Sequence, residues 1–482
     1  MIAIVGGGIA GLAAARRLQA HGRDVRVFEA SGQVGGLAAT TETAGDPIET
    51  FYHHLSASEE TIVELLDDLG LREDLQWPIG KNAYYVDGTV HPMDKPWEIL
   101  AFPHWSLYDK FRLGMLTLDV DVRGGIPSFD TYDDLEDFED IPVKEFCIEH
   151  TTRNVYETFF EPLLEAKFGE RMEDVSAAWL LGRIKFRGER DLLRGEPLGY
   201  LDGGFGRLND ALVEDVGREH IDTNARVTNV GTADGELQTV TVEHSDPAED
   251  GFTNVETVDA DAVVVAAMPN VLEALTGYEC DITFQGTVCS IISMDRQLTD
   301  TYWLNIADDA PFGALIEHTN FVPPERYGGR ESDDSRAQQN SSDSADVHGT
   351  PGASRAAHQE SSIPEDGEHL LYVPKYIQSP DDPVWQMSDD EVADHWLDGI
   401  EALFPEFDRA HVNWISTARN PRTAPVYERG YLDMVIPYHL DTEVADGVYY
   451  AGMASRAQYP ERSLNGGIVA GYECADRIAG EK

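Results

Sequence analysis

The first eighteen residues, MIAIVGGGIAGLAAARRL, constrain the fold more than any other stretch of the chain. Ile2 to Val5 predicts a short buried strand, followed by a tight glycine turn and then a helix. Gly6, Gly8 and Gly11 supply the pattern G-x-G-x-x-G, with Ile9 and Ala10 between the second and third glycines. In such a unit the first glycine allows the turn and the second lets the backbone approach a pyrophosphate. The third lets helix and strand pack closely. Phosphates would meet the helix N-terminus, where free N–H groups and the helix dipole favour negative charge. Ala13, Ala14 and Ala15 keep the helix slim against a sheet. RDVRVFEA reads as a second strand ending in Glu29, 18 positions after Gly11, about where a carboxylate should accept from the ribose hydroxyls of an adenosine. The opening therefore predicts a βαβ dinucleotide site with Gly6, Gly8, Ile9, Ala10, Gly11 and Glu29 against the ligand.

Further on, EASGQVGGLAATTE places Gly35 and Gly36 six and seven residues after Glu29. This resembles the extended fingerprint of the flavin amine oxidase superfamily, which includes protoporphyrinogen oxidase, phytoene desaturases and UDP-galactopyranose mutase. The resemblance implies bound FAD, with the second glycine pair passing close to the ribityl-diphosphate. Leu37 stands where arginine is usual in that family. YLDGGFGRLNDALVEDV (200–216) resembles the family's glycine turn leading into a helix, and IDTNARVTNV the strand whose backbone near Val227 brackets the adenine. DADAVVVAAMP is a continuous apolar run suited to a parallel strand buried on both faces. GVYYAGMASRAQYPERSLNGGIVAGYECADRI resembles the closing strand, loop and helix, with Gly466 and Gly467 at the helix start. The family pattern thereby adds Gly452, Met453 and Gly467 to the cofactor-binding candidates. Met453 lies near where relatives often carry an acidic residue.

The expected fold is α/β: a discontinuous Rossmann-type FAD-binding domain with an inserted mixed α+β substrate domain, amine-oxidase-like. The cofactor domain is expected from 1–80, 196–284 and 425–482. The substrate domain is expected from 81–195, read as largely helical, and 285–424. Within the latter, 328–369 is rich in Ser, Asp, Gly, Ala and Gln and nearly free of large apolar residues. Such a segment buries too little to offset its ordering entropy, so a disordered insertion is expected.

Against 36 basic residues stand 88 acidic ones, a formal net charge of -52, with the acids spread along the whole chain. That distribution reads as adaptation to high salt, where screening removes self-repulsion. It also argues against nucleic acid as a partner. Cys147, Cys280, Cys289 and Cys474 form no CxxC pair, which suits a reducing compartment and gives neither a disulfide framework nor a metal site. The first strand starts at Ile2, leaving no room upstream for a signal peptide, and no apolar run approaches a membrane span. A cytoplasmic protein is expected. The aromatic, amphipathic segment 97–118 leaves peripheral membrane contact open.

The chemistry is less constrained. FYHHLSASEE falls where the family's chain crosses near the flavin ring, making His53 and His54 candidate catalytic residues. Two readings stay open. One or both touch flavin or substrate, or one is packed and the other solvated. Metal ligation is disfavoured, because adjacent residues on an extended strand point to opposite faces. A helix after them is expected to be capped by Ser56 or Ser58. In the amine-oxidising branch a lysine commonly holds a water near the flavin; the matching position here is Ser290, beside Cys289. An aromatic pair caging an amine is not evident either, since its second position matches Ser463. GRIKFRGERDLLRG clusters cations, among them Arg183 and Arg187, that would suit a diphosphate or propionate group, or surface ion pairing. The expected reaction is therefore FAD-dependent hydride abstraction from a C–H or C–N bond of a small-molecule substrate, as in protoporphyrinogen oxidase or the amine oxidases. Oxygen or another carrier would take the electrons. A flavin-dependent UDP-sugar mutase and a carotenoid desaturase-like enzyme are the alternatives.

The charge reading predicts that stability falls at low ionic strength. Refolding in 3 M and in 0.1 M salt should give a clearly lower denaturation midpoint at the lower concentration. A midpoint independent of salt would show that the acidic excess is ordinary surface charge.

Overall fold

The computed structural model describes residues 1–118, 133–186, 193–245, 252–328, 353–356 and 367–481. The opening motif folds as its residues dictate. Ile2–Val5 is a strand buried along its length, and Ile9–Ala20 is a helix. Strand Val25–Phe28 lies parallel beside the first, and Glu29 follows it directly. Ala262–Val265 flanks the other side, also parallel and also buried throughout, as an apolar run covered on both faces requires. The sheet is completed at its edges by Ile221–Asp222 and Val448–Tyr450, giving five parallel strands drawn from four distant parts of the chain.

Two helices cover one face. The opening helix lies against the C-terminal helix Leu464–Ala479, and their small residues allow near contact. A Cβ added at Gly471 would strike the Ala10 carbonyl oxygen and come within 3.0 Å of Ala14 N. Ile2, Ile4, Ala14, Ala15, Leu18, Val27, Val264, Ala470 and Cys474 form the core between sheet and helices. Ala225–Ala233, Glu236–Ser245 and Phe252–Asp259 make a separate antiparallel meander, which meets the parallel sheet where Ala225 N donates to the Glu29 carbonyl at 2.8 Å.

A second large sheet has eight strands, in the order Ala353–Ala356, Val412–Pro425, Phe284–Met294, His369–Ile377, Ala314–Glu317, Trp303–Ile306, Asn82–Val86 and Thr89–Pro92. All pairs are antiparallel except Trp303–Ile306 with Asn82–Val86. The stretch read as largely helical thus begins with a hairpin, whose turn Asp87–Gly88 has positive φ at both residues. Helices follow at Pro96–Ala101, Leu107–Leu118, Val143–His150, Glu161–Phe168 and Ala177–Phe186. The first two expose Trp97, Leu100, Leu107, Tyr108 and Phe111, each at least 51% accessible, and this is the face that the sequence left open to a membrane. Among the described residues no helix is long and apolar enough to cross one.

Two local expectations change. Neither Ser56 nor Ser58 caps the helix Glu60–Asp68. Glu59 holds the cap position, and its carboxylate instead accepts from Ser56 N at 2.7 Å. The insertion expected to be disordered lies outside the described residues, save Gly328, Ala353–Ala356 and 367–369. Of these, Ala353–Ala356 pairs with the edge of Val412–Pro425, where backbone hydrogen bonds form without any need for large apolar side chains.

The contact between the two covering helices yields a test. Gly471→Val should cost about 1–3 kcal/mol through overpacking. Gly114→Ala, in a helix where an added Cβ meets nothing within 4 Å, should be neutral or mildly stabilising. Urea denaturation midpoints of the two variants compare them directly.

Candidate functional site

The parallel sheet ends at a cavity of about 1020 Å³. Its floor is the opening glycine turn. Gly11 sits so close to the Gly6 carbonyl oxygen that a Cβ would overlap it, which brings the helix onto the strand. Gly8 and Gly36 face each other, with the Gly8 Cα 3.4 Å from where a Cβ on Gly36 would stand. Gly35, at φ 109°, lets the second glycine turn fold back, and its N–H donates to the Gly7 carbonyl at 2.9 Å. The result is a cradle of bare backbone at the start of a helix whose first N–H groups have no intrahelical acceptor.

Glu29 projects beside the cradle. Its two oxygens accept from Gly7 N at 2.7 Å and Ser31 N at 2.8 Å, so the carboxylate is aimed before any ligand arrives and keeps further lone pairs. The sequence-predicted residues Gly6, Gly8, Ile9, Ala10, Glu29, Gly35, Gly36, Leu37, Val227, Gly452, Met453 and Gly467 all line this one cavity. Gly11 does not line it; it lies behind the turn against Gly6. The C-terminal helix also begins at the cavity wall, where Ser463 caps it by accepting from Gly466 N at 3.0 Å.

Both histidines reach the cavity, which departs from a packed-and-solvated pair. His53 Nδ1 lies 2.6 Å from the Phe51 carbonyl oxygen. A carbonyl can only accept, so Nδ1 carries the proton. Burial, with Arg462 assisting, lowers the ring to about 4, so it is neutral near pH 7 and Nε2 keeps its lone pair. His54 Nδ1 contacts the Tyr302 hydroxyl at 3.0 Å. Tyr52 and Trp303 stand edge to face, with ring centres 5.1 Å apart, and both line the same space.

Several lining residues went unread in the sequence. Lys167, Tyr376, Glu461 and Arg462, which join the expected Arg183 at the cavity, come from widely separated segments. Glu461 ties Lys167 and Arg183 together. It accepts from Lys167 Nζ at 2.8 and 3.1 Å, from Arg183 Nη1 at 2.8 Å and from the Trp179 indole at 2.9 Å. Burial alone would raise the Glu461 carboxyl, but Lys167 and Arg183 outweigh it and hold it well below the usual carboxylate range. Burial lowers the Lys167 ammonium, with Glu461 opposing. Among the described residues Arg462 Nη2 reaches only the Tyr376 hydroxyl, at 3.4 Å, which is in turn 3.2 Å from the Tyr52 hydroxyl. Burial would raise the Tyr376 phenol, but Arg462 and Lys167 hold it below its ordinary value. The dipeptide Glu461-Arg462, just ahead of a glycine-headed helix, was the available signal for this cluster.

Ser290, the position matched to the family's lysine, does not reach the cavity. It is fully buried within its sheet, taking the Trp396 indole N–H at 2.9 Å. Cys289 beside it is buried as well. Arg183 is brought to the cavity, whereas Arg187 lies outside the described residues.

A five-stranded parallel sheet with a glycine cradle, opening onto a chamber walled by a second sheet, defines a dinucleotide-binding enzyme fold of the flavoprotein class. The chain belongs to the flavin containing amine oxidoreductase family, whose pattern matches residues 9–479. It is 36% identical over 115 residues to protoporphyrinogen oxidase 2, chloroplastic/mitochondrial, of Arabidopsis thaliana, covering 23% of each chain. The matched part therefore spans less than a quarter of that relative's length. In three dimensions the chain superposes on reduced UDP-galactopyranose mutase with a TM-score of 0.67 at 17% identity, covering 100% of this chain and 96% of that one. It superposes on cyclohexylamine oxidase from Brevibacterium oxydans IH-35A with a TM-score of 0.63 at 16% identity, covering 100% and 98%. At those identities the likeness is one of fold.

The flavin expected from the family fits the residues present. The cradle is free of side chains, the carboxylate is pre-aimed, and two helix N-termini face the space. Gly8→Leu should therefore leave folding intact, since only Gly36 Cα lies within 4 Å of an added Cβ, yet remove flavin on purification. Absorbance near 450 nm per mole of protein reads this; a variant that stays fully yellow would contradict the placement.

Proposed function

We propose that the chain is an FAD-dependent oxidoreductase acting on a C–H or C–N bond of a small organic molecule. The observation that supports this best is that one cavity holds both the glycine cradle and side chains of the separate eight-stranded sheet. At about 1020 Å³ it lies at the upper end of ligand sites, which suits a dinucleotide together with a substrate. In this reading 1–80, 196–284 and 425–482 hold the cofactor, while 81–195 and 285–424 shape the substrate chamber. Bound FAD would supply hydride acceptance, with oxygen or another carrier as the final electron acceptor.

The chain's own groups bind, orient and exclude water. Gly8, Gly35 and Gly36 offer backbone to the diphosphate, and Glu29 accepts from ribose hydroxyls. Tyr52 and Trp303 pack edge to face, and together they wall off the reacting space and fix a substrate's plane. Neutral His53 keeps Nε2 available to accept a hydrogen bond or a proton at that wall. Ser290 lies outside the cavity, so the reading gives it no role.

A second reading is rearrangement of a UDP-sugar without net oxidation. It is supported by the likeness to UDP-galactopyranose mutase together with the cations Lys167, Arg183 and Arg462 in the cavity.

An anaerobic spectral titration separates the two. The panel is protoporphyrinogen, putrescine, a carotenoid precursor and UDP-galactose. Bleaching of the flavin band by one compound is the expected result and would name the electron donor. A shifted but unbleached band with UDP-galactose alone would favour the second reading.

A further inference from the structure

We propose that the part of the cavity lined by Lys167, Arg183 and Arg462 binds an anionic oxygen group of the substrate, a carboxylate or a phosphate. An amine is then not the group it selects. The proposal rests on the reading of this cavity as a substrate chamber beside a flavin.

The charge balance inside the cavity is opposite to that of the chain. Overall there are 36 basic against 88 acidic residues, yet the cavity is lined by Lys167, Arg183, Arg226 and Arg462 against only Glu29 and Glu461. Glu29 lies at the cradle, and Glu461 is the one main-cavity carboxylate tied to the Lys167 and Arg183 group. Even with Lys167 counted as neutral, two guanidiniums outweigh it. Nor does Glu461 offer Arg462 a hydrogen bond among the described residues. Its oxygens already accept four hydrogen bonds, from Lys167, Arg183 and Trp179. Its effect is to hold Lys167 and Arg183 in place, with side chains only 13% and 30% exposed.

Arg462 is the least satisfied member. Its single hydrogen bond among the described residues is a long one to the Tyr376 hydroxyl, and its buried Nε has no partner there. A guanidinium presents five donors in a planar fork that matches a carboxylate or phosphate. Leaving such donors unmet away from water is unfavourable, so an incoming anion gains what the protein does not supply. Low polarity around the site strengthens the same attraction, and makes an ammonium group correspondingly unwelcome.

Other groups near the cluster are accounted for. A small chamber of about 120 Å³ adjoins it, lined by Arg183, Glu461, Arg462, His54, Ser56, Ser463, Glu59 and Glu196. Glu59 and Glu196 line that chamber and not the main cavity. Burial raises the Glu59 carboxyl, weakening its claim on the guanidiniums. In the main cavity Tyr376, Tyr52 and Asn420 add neutral polar groups, which suit the flanks of an anion.

Calorimetric titration of the flavin-loaded protein with benzoate, benzylamine and uridine diphosphate at one fixed salt concentration tests this. Benzoate or the diphosphate should bind at least tenfold more tightly than benzylamine, and the tighter of the two identifies carboxylate or phosphate as the source. Arg462→Met should weaken that anion at least tenfold without changing flavin content, and Arg462→Lys should recover part of the loss. Benzylamine binding as tightly as the anions, or anion affinity untouched by Arg462→Met, would overturn the proposal. Should Arg462→Met fail to fold, Arg462→Lys alone must still weaken the bidentate anion, and an unchanged affinity would overturn it equally. Protein purified without flavin would defeat the cofactor reading instead. The calorimetric preference for anion over amine is readable in either case.

Discussion

The close approach of Gly11 to the Gly6 carbonyl is the constraint on which the rest depends. It lets the opening helix lie directly on strand Ile2–Val5, so that the helix N-terminus and the strand end meet at one point. Everything that makes the cavity converges there. The second glycine turn bonds to Gly7, Glu29 is oriented by Gly7 N–H, and the C-terminal helix packs its own glycine onto Ala10. A methyl group at Gly11 would separate helix from strand, and each of these contacts would move with it.

Glu461 plays a comparable part on the substrate side. It lies near the head of the C-terminal helix and binds Lys167 and Arg183, which belong to two helices of the intervening segment. In the proposed reading, one carboxylate thus couples the element that completes the cofactor cradle to the elements that wall the substrate space. A buried ion pair contributes little to stability relative to an apolar replacement. It does define geometry strongly, because breaking it leaves an uncompensated charge. That suits a site in which cations must stay where a substrate group can find them.

Much of the cofactor side was legible in the chain. Gly6, Gly8, Glu29, Gly35, Gly36, Val227, Gly452 and Gly467 were all named from motifs, and all meet at the cavity. They were readable because backbone-to-phosphate contact demands glycine at fixed spacing, a local requirement. The substrate side was not. Tyr52, Lys167, Trp303, Tyr376 and Arg462 are single residues of ordinary type, brought together by strand order in the eight-stranded sheet and by helix packing. The family pattern matches Ser290 to a lysine, yet that residue faces Trp396 and Thr417 inside the protein. One residue of register reverses which face of a strand a side chain occupies, so alignment by pattern carries little information there. The hairpin at Asn82–Pro92 escaped for a similar reason: its strands are short, and it joins the large sheet only through Asn82–Val86 beside Trp303–Ile306, more than two hundred residues away.

By itself the sequence determined the parallel sheet with its glycine cradle, the pre-aimed Glu29 and membership of a flavin-binding family. Those features follow from local sterics and from runs of apolar residues that cannot face water. Only the tertiary structure decided that Lys167 and Arg183 share one carboxylate at the cavity wall beside Arg462, that both histidines reach the same space, and that Ser290 does not. Those outcomes depend on contacts between residues hundreds of positions apart, and no local pattern of charge or hydrophobicity encodes them.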